Sequence, residues 1–314
     1  MNVTSIHKLI LVFLSIIILI SIYSISYAQT AYLETNTGAG FSQGTIGEYV
    51  YDNNRMLSRL NWNIDYLWYY HFSVALWYNS FFAGIQVHNG INDKIGTIDD
   101  SDWTDDNNPS LKTHYSKHDN YLERYASYDC NIGFKSDITD TINVKPYIGF
   151  LYKSIKMSAR DGYLEYPPGS PEDPVYGVGI IYEQRYYIPY IALASEIIVT
   201  ETIGIMAGIS VSLFAVAEDI DNHVHRNPGD DIDFYANYDG IIYLHAYGGC
   251  FFSLSDTIKV ALDLLYEYVP EQKGDTYYIN TSTGIKSPVF NNSAGLKYSV
   301  FSVQLSVVYT LKLL

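Results

Sequence analysis

The chain has 314 residues and a formal charge of −15, from 34 acidic and 19 basic side chains. That balance argues against nucleic acid as a partner and favours cationic ligands. Two widely separated cysteines, Cys130 and Cys250, make no disulfide framework, and no residues stand with them at metal-ligand spacing, so neither metal nor cofactor is expected.

Residues 1–28 combine a basic start (His7, Lys8), an apolar run from 9 to 22 broken by two serines, and the small-x-small ending Ser26-Tyr27-Ala28. This layout predicts a signal peptide cut before Gln29, with residues 29–314 forming one exported domain. Aromatic side chains make up 16% of the chain and charged ones 17%, yet no later apolar run reaches the roughly 18 residues of a membrane helix. An exported, aromatic-rich chain of short alternating segments points to an all-β fold, a transmembrane β-barrel with aromatic girdles. A secreted β-sandwich is the rival, because its strands look alike locally.

Alternation and turn residues place strands at 32–41 and 57–66, with a Gly-containing stretch between them that includes Glu48. A third, at 72–84, leads into a polar segment spanning 88–119. Strands follow at 125–135 and 143–157 about a tight polar turn, then at 179–195 after a Pro/Gly loop, and at 203–217. The last three are 235–253 and 258–269, joined by a short turn at 254–257, and 294–312. About ten antiparallel strands with tight turns at one end and long loops at the other match an outer-membrane barrel with short periplasmic turns and long external loops. Along 203–217, Ile205, Ala207, Ile209, Val211, Leu213 and Ala215 are expected on the lipid face.

Beyond that strand stands Asp219-Ile220-Asp221-Asn222-His223. In an extended chain Asp219, Asp221 and His223 share a face, so one segment presents two carboxylates and an imidazole. It reads either as a solvated strand end or as a base with an orienting carboxylate, the pairing that neutral-pH hydrolysis needs. A second cluster, Asp99-Asp100-Ser101-Asp102-Trp103, is expected in the long loop after the third strand, at the same end. Asp100 and Asp102 face one side if extended, and carboxylates that close can share a proton and hold a water. The bland reading is a solvated acidic loop.

Several segments together resemble the omptins, outer-membrane endopeptidases built as ten-stranded barrels. They are Arg55 through Trp68, the Asp100-Ser-Asp-Trp motif, Asn108-Pro109, Thr113 through His118, Tyr182-Glu-Gln-Arg-Tyr-Tyr-Ile-Pro-Tyr-Ile and Asp219-x-Asp-x-His. The resemblance spans essentially all of residues 29–314. It implies a catalytic carboxylate couple at Asp100 and Asp102, with Asp99 as the one-residue-shifted alternative, and an Asp221–His223 dyad that activates water without an acyl-enzyme. It also implies Glu48 and Asp219 as acceptors of a basic side chain before the cut, with Arg favoured by bidentate pairing. Ser116 matches a family serine and is read as supporting structure.

The resemblance is incomplete at the wall site where several members bind lipopolysaccharide. Only Arg185 is kept there, and Phe150, Tyr152, Ser154 and Asn237 hold the other positions. Activity is therefore expected to be independent of that site or to use a different lipid. His114, His118 and His225 lie near the acidic clusters without fixed ligand spacing. The resulting expectation is a monomeric outer-membrane aspartate/histidine endopeptidase with its site facing the exterior, acting on cationic peptides or proteins. A non-catalytic barrel serving as adhesin or surface-binding protein is the alternative.

Overall fold

A computed structural model describes residues 30–53, 55–224 and 232–314. The expected signal peptide and His225 lie outside the described residues. Twelve strands follow in chain order: β1 (Ala31–Asp52), β2 (Arg55–Tyr78), β3 (Phe81–Gly90), β4 (Lys94–Asp102), β5 (His114–Phe134), β6 (Ser136–Asp137), β7 (Ile142–Glu165), β8 (Asp173–Ile198), β9 (Ile203–His223), β10 (Ile232–Ser253), β11 (Ile258–Asn280) and β12 (Phe290–Lys312).

All pairings are antiparallel, and β12 returns to pair with β1 from Tyr32↔Lys312 to Val50↔Ala294, which closes the sheet on itself. β3 and β4 are two halves of one stave, since both pair with β2 on one side and β5 on the other. With the two-residue β6 set aside, the closed ring has ten staves. At the break between β3 and β4 the Asn92 side chain replaces ladder bonds. Its amide nitrogen donates to the carbonyls of Tyr66 and Lys94 at 2.8 and 2.9 Å, and its oxygen accepts from the Trp68 N–H at 2.8 Å. Backbone groups at the break are thereby kept paired.

Most strands run further than the sequence reading placed them, β1 to Asp52, β7 to Glu165 and β11 to Asn280 among them, and two departures bear on the site. Residues 57–66 and 72–78 belong to the single strand β2, and the turn falls at Asn79-Ser80, inside the predicted third strand. The polar segment 88–119 is largely strand, with only 103–113 looping between β4 and β5. Glu48, Asp100 and Asp102 therefore sit in strands rather than loops. Polar side chains there disguised a ladder that continues beyond the apolar half of the ring.

The length of that continuation follows from the strands themselves. The long staves run 21 to 26 residues, whereas a bilayer takes about 9–11 residues of a tilted strand. Outward apolar side chains such as Ile205, Ile209 and Leu213 on β9, Leu262 and Leu264 on β11, and Leu305 and Val307 on β12 are exposed in the half nearer the tight turns. The other half carries Glu48, Asp100, Asp102, Asp219 and Asp221.

A β-bulge reverses which side chains face inward. On β9 the odd-numbered residues 205–213 point out, and Phe214 beside them is 78% exposed, whereas Ala215 is fully buried. Opposite this slip, β10 changes register between Asp239 and Tyr243, around Gly240 at φ +67°. One extra residue moves every later side chain to the other face. Ala215 is thus inside the ring, not on the lipid face expected for it, and Asp219, Asp221 and His223 turn inward with it.

The interior is filled rather than open. Trp62, Ile64, Ile155, Tyr182, Tyr186, Tyr238, Leu296 and Tyr298 are buried there, and the Trp62 and Tyr182 rings stack at 5.4 Å and 17° from different sides of the ring. Below this plug lies a polar chamber of about 120 Å³ that includes the Lys153–Glu267 ion pair. Above it the ring opens into a larger cavity.

Candidate active site

The upper cavity has a volume of about 670 Å³, and its lining includes Glu48, Asp100, Asp102, Ser116, His118, Asp219, Asp221 and His223. All six residues singled out from sequence as catalytic or substrate-binding line it. Among the described residues no lysine or arginine does. An acid-lined, apolar-walled mouth of this kind has the potential to hold a cationic group.

Inside the bulged end of β9, Asp221 is 7% exposed and its Oδ2 lies 2.7 Å from His223 Nε2. With the carboxylate as acceptor the imidazole donates through Nε2, and in the neutral tautomer that this contact favours Nδ1 is the proton acceptor. Two residues earlier, and one step deeper, Asp219 is 6% exposed. Its Oδ2 accepts from Tyr238 Oη at 2.7 Å and from Tyr182 Oη at 3.1 Å. Gln184 holds this arrangement by donating to Tyr182 Oη at 2.8 Å while accepting from Tyr186 Oη at 2.5 Å.

Glu48 reaches the same depth from β1. It is 6% exposed and accepts from Trp62 Nε1 at 3.1 Å. Burial, with Asp221 and Asp219 nearby, raises its pKa well above the usual carboxylate range. Burial also raises Asp219 to about 7, against the opposing effect of its two tyrosine donors. Carboxylates held protonated without a counter-ion would ionise when a cation arrives, because an opposite charge favours the charged form.

β4 stands across the ring from β9. Three staves separate them on one side (β5, β7, β8) and five on the other (β2, β1, β12, β11, β10). Asp100 and Asp102 alternate inward with the fully buried Ile98, and Ser58 Oγ donates to Asp100 Oδ1 at 3.5 Å. Asp102 Oδ2 lies 3.8 Å from His114 Nδ1. Asp99 points the other way, where Tyr115 Oη and Asn63 Nδ2 donate to it at 2.8 and 2.9 Å. Strand alternation thus separates Asp99 from the cavity and leaves Asp100 and Asp102 in it.

Sequence reasoning did not pick out the buried rings of Trp62, Tyr182 and Tyr238 beneath the cavity, and it named Ser116 and His118 on β5 without pairing them. Ser116 and His118, both buried, lie 3.0 Å apart through Oγ and Nε2, and His118 Nδ1 is 2.6 Å from the Asp161 carbonyl. That carbonyl only accepts, so Nδ1 donates to it and Nε2 accepts the serine hydroxyl. The floor had a visible signal in its aromatic residues at alternate strand positions. The Ser116–His118 geometry depends on the backbone of a different strand, β7.

A model of the omptin family matches residues 29–311. Protease 7 of Escherichia coli strain K12 is 26% identical over 223 residues, covering 65% of this chain and 69% of that protein. Protease 7 of E. coli O157:H7 matches to the same extent. The crystal structure of the outer membrane protease OmpT from E. coli superposes with a TM-score of 0.81 at 19% identity, covering 90% of this chain and 97% of that one. A family match over nearly the whole described ring, on a barrel of the same architecture, is decisive: the chain belongs to the omptin family, as an outer-membrane protease.

Proposed function

We propose that the barrel is an endopeptidase that cuts after basic residues by direct attack of water, with Asp221 and His223 as the activating dyad and Asp100 and Asp102 as the opposing couple. The observation that carries this reading is the 2.7 Å Asp221–His223 contact in the same cavity as the couple. His223 takes a proton from water as its oxygen attacks the peptide carbonyl carbon. Asp221 stabilises the imidazolium. The couple positions the water and supports the developing tetrahedral centre. His223 then returns its proton to the leaving amine as the C–N bond breaks.

Glu48 and Asp219 receive the basic side chain, and the buried rings of Trp62 and Tyr182 beneath them hold the two carboxylates in place. Arg is preferred to Lys, because a guanidinium can pair with two carboxylates through fixed donors. The protein acts as a monomer with the mouth facing the exterior, where cationic peptides and proteins reach it. Water is favoured over Ser116 as the attacking group because His118 meets a backbone carbonyl through Nδ1, with no carboxylate there to stabilise an imidazolium.

Activity is independent of lipopolysaccharide at the wall site. Arg185, on the outer face, already donates to Glu183 through Nε and Nη2 at 2.7 and 2.9 Å, and Arg124 pairs with the same carboxylate. The test of the central reading is cleavage of a quenched Arg-Arg peptide by refolded barrel. Cleavage lost in both Asp221→Asn and His223→Ala supports it. No cleavage by folded wild type in any lipid defeats it.

A further inference from the structure

The cavity has a second chemical character above its acidic floor. From His223 a row of aromatic rings crosses the wall toward β1. His223 meets Phe234 edge-on at 6.0 Å and 74°. Phe234 meets Tyr278 at 5.9 Å, and Tyr278 stacks on Phe290 at 6.3 Å and 14°. Strand register explains the row, because Phe234 lies opposite Asp221 on one side and Tyr278 on the other, and Phe290 faces Thr276. All three rings line the same cavity as the dyad, and Phe290 remains 44% exposed at its mouth.

Resting on the proteolytic reading above, the geometry points to a specificity subsite in which Phe234, Tyr278 and Phe290 take a large apolar side chain from the two positions preceding the basic residue. Direction follows from Glu48. It stands on β1, next in the ring to β12, so a peptide that sends its basic side chain down between Glu48 and Asp219 has the half preceding the cut on the β10–β12 side. The opposite flank carries Ser116, His118 and Ile180. In an extended peptide neighbouring side chains alternate in direction. One of the two preceding residues therefore lies against the aromatic row when the basic one occupies the floor.

Three quenched peptides with the same cut site test this, with Phe-Phe, Gly-Gly or Arg-Arg before the Arg that is cut. Wild type is expected to favour Phe-Phe over Gly-Gly by roughly tenfold in kcat/KM, the scale of an apolar pocket contact. In Tyr278→Ser/Phe290→Ser that ratio falls toward one, and in Phe290→Ser alone it falls partway. A ratio of two substrates is unaffected by the folded fraction, so poor refolding does not mimic the result. Equal rates in wild type, an unchanged ratio in the double variant, or a preference for Arg-Arg would overturn the subsite. If wild type cuts none of the peptides, the proteolytic reading fails on its own. Fluorescence anisotropy with the same peptides then decides the subsite: tighter Phe-Phe binding that is lost in the double variant upholds it, and equal binding overturns it.

Discussion

Replacing Asp219 by Asn should make the barrel more stable and the enzyme worse. Asp219 is buried beside Glu48 and Asp221, and burial moves its pKa from 3.8 to about 7. A raised carboxyl pKa means that the folded chain keeps a proton the unfolded chain releases, so stability falls as pH climbs from about 4 to about 7. Three pH units at about 1.4 kcal/mol each set the scale at ~4 kcal/mol above pH 7. Asn accepts from Tyr182 and Tyr238 as Asp does, but its amide N–H groups gain no assured partner, which costs about 1–3 kcal/mol. The expected net gain is about 1–3 kcal/mol at pH 8.5, turning to a loss below pH 4, where the wild-type carboxyl is protonated in both states. Urea unfolding in detergent micelles at the two pH values measures it. In the same variant an Arg substrate loses a buried charge partner worth ~3 kcal/mol, on the order of 100-fold in kcat/KM. Equal destabilisation at both pH values, or an unaltered preference for Arg, would refute the reasoning.

Gly240 has open space where a Cβ would go, but sits at φ +67°, so Gly240→Val should cost roughly 1–2 kcal/mol through backbone strain alone, measured by the same unfolding. Asp100→Asn should lower kcat on a quenched Arg peptide by about 10²-fold or more, the scale of a lost acid–base group. Asp99→Asn, on the outer face, should change it less than about threefold, and the reverse order would restore the shifted assignment. Arg185→Ala should leave cleavage in lipopolysaccharide-free micelles unchanged. A loss there that added lipopolysaccharide repairs would contradict the independence proposed for that wall.

Much of this architecture can be read from residues because alternation survives wherever the chain meets lipid. Ile205 through Leu213 on β9 show it plainly. It fades above the membrane, where polar side chains are frequent, and so 94–102 resembled a loop although its backbone pairs with β5 from Lys94 to Asp102 and with β2 from Ile98 to Asp102. The turn at Asn79-Ser80 was hidden by apolar residues that continue through it. The site residues were legible as types, since Asp-x-Asp and Asp-x-Asp-x-His put like groups on one face. Their inward direction was not, because the bulge at Leu213–Phe214 has no strong local signature and reverses the faces assigned below it. The burial of Glu48 was equally hidden, since it depends on Trp62 from the neighbouring strand.

The account rests on water, activated by His223, attacking the peptide directly while a buried Ser116–His118 pair stands in the same cavity. Rapid-quench mass spectrometry during turnover of an Arg peptide, run on wild type, Ser116→Ala and His223→Ala, tests that most directly. Predicted are no covalent acyl-enzyme in wild type, retained cleavage in Ser116→Ala, and a loss on the order of 10³-fold in His223→Ala. An acyl adduct on Ser116, or near-normal cleavage without His223, would contradict it.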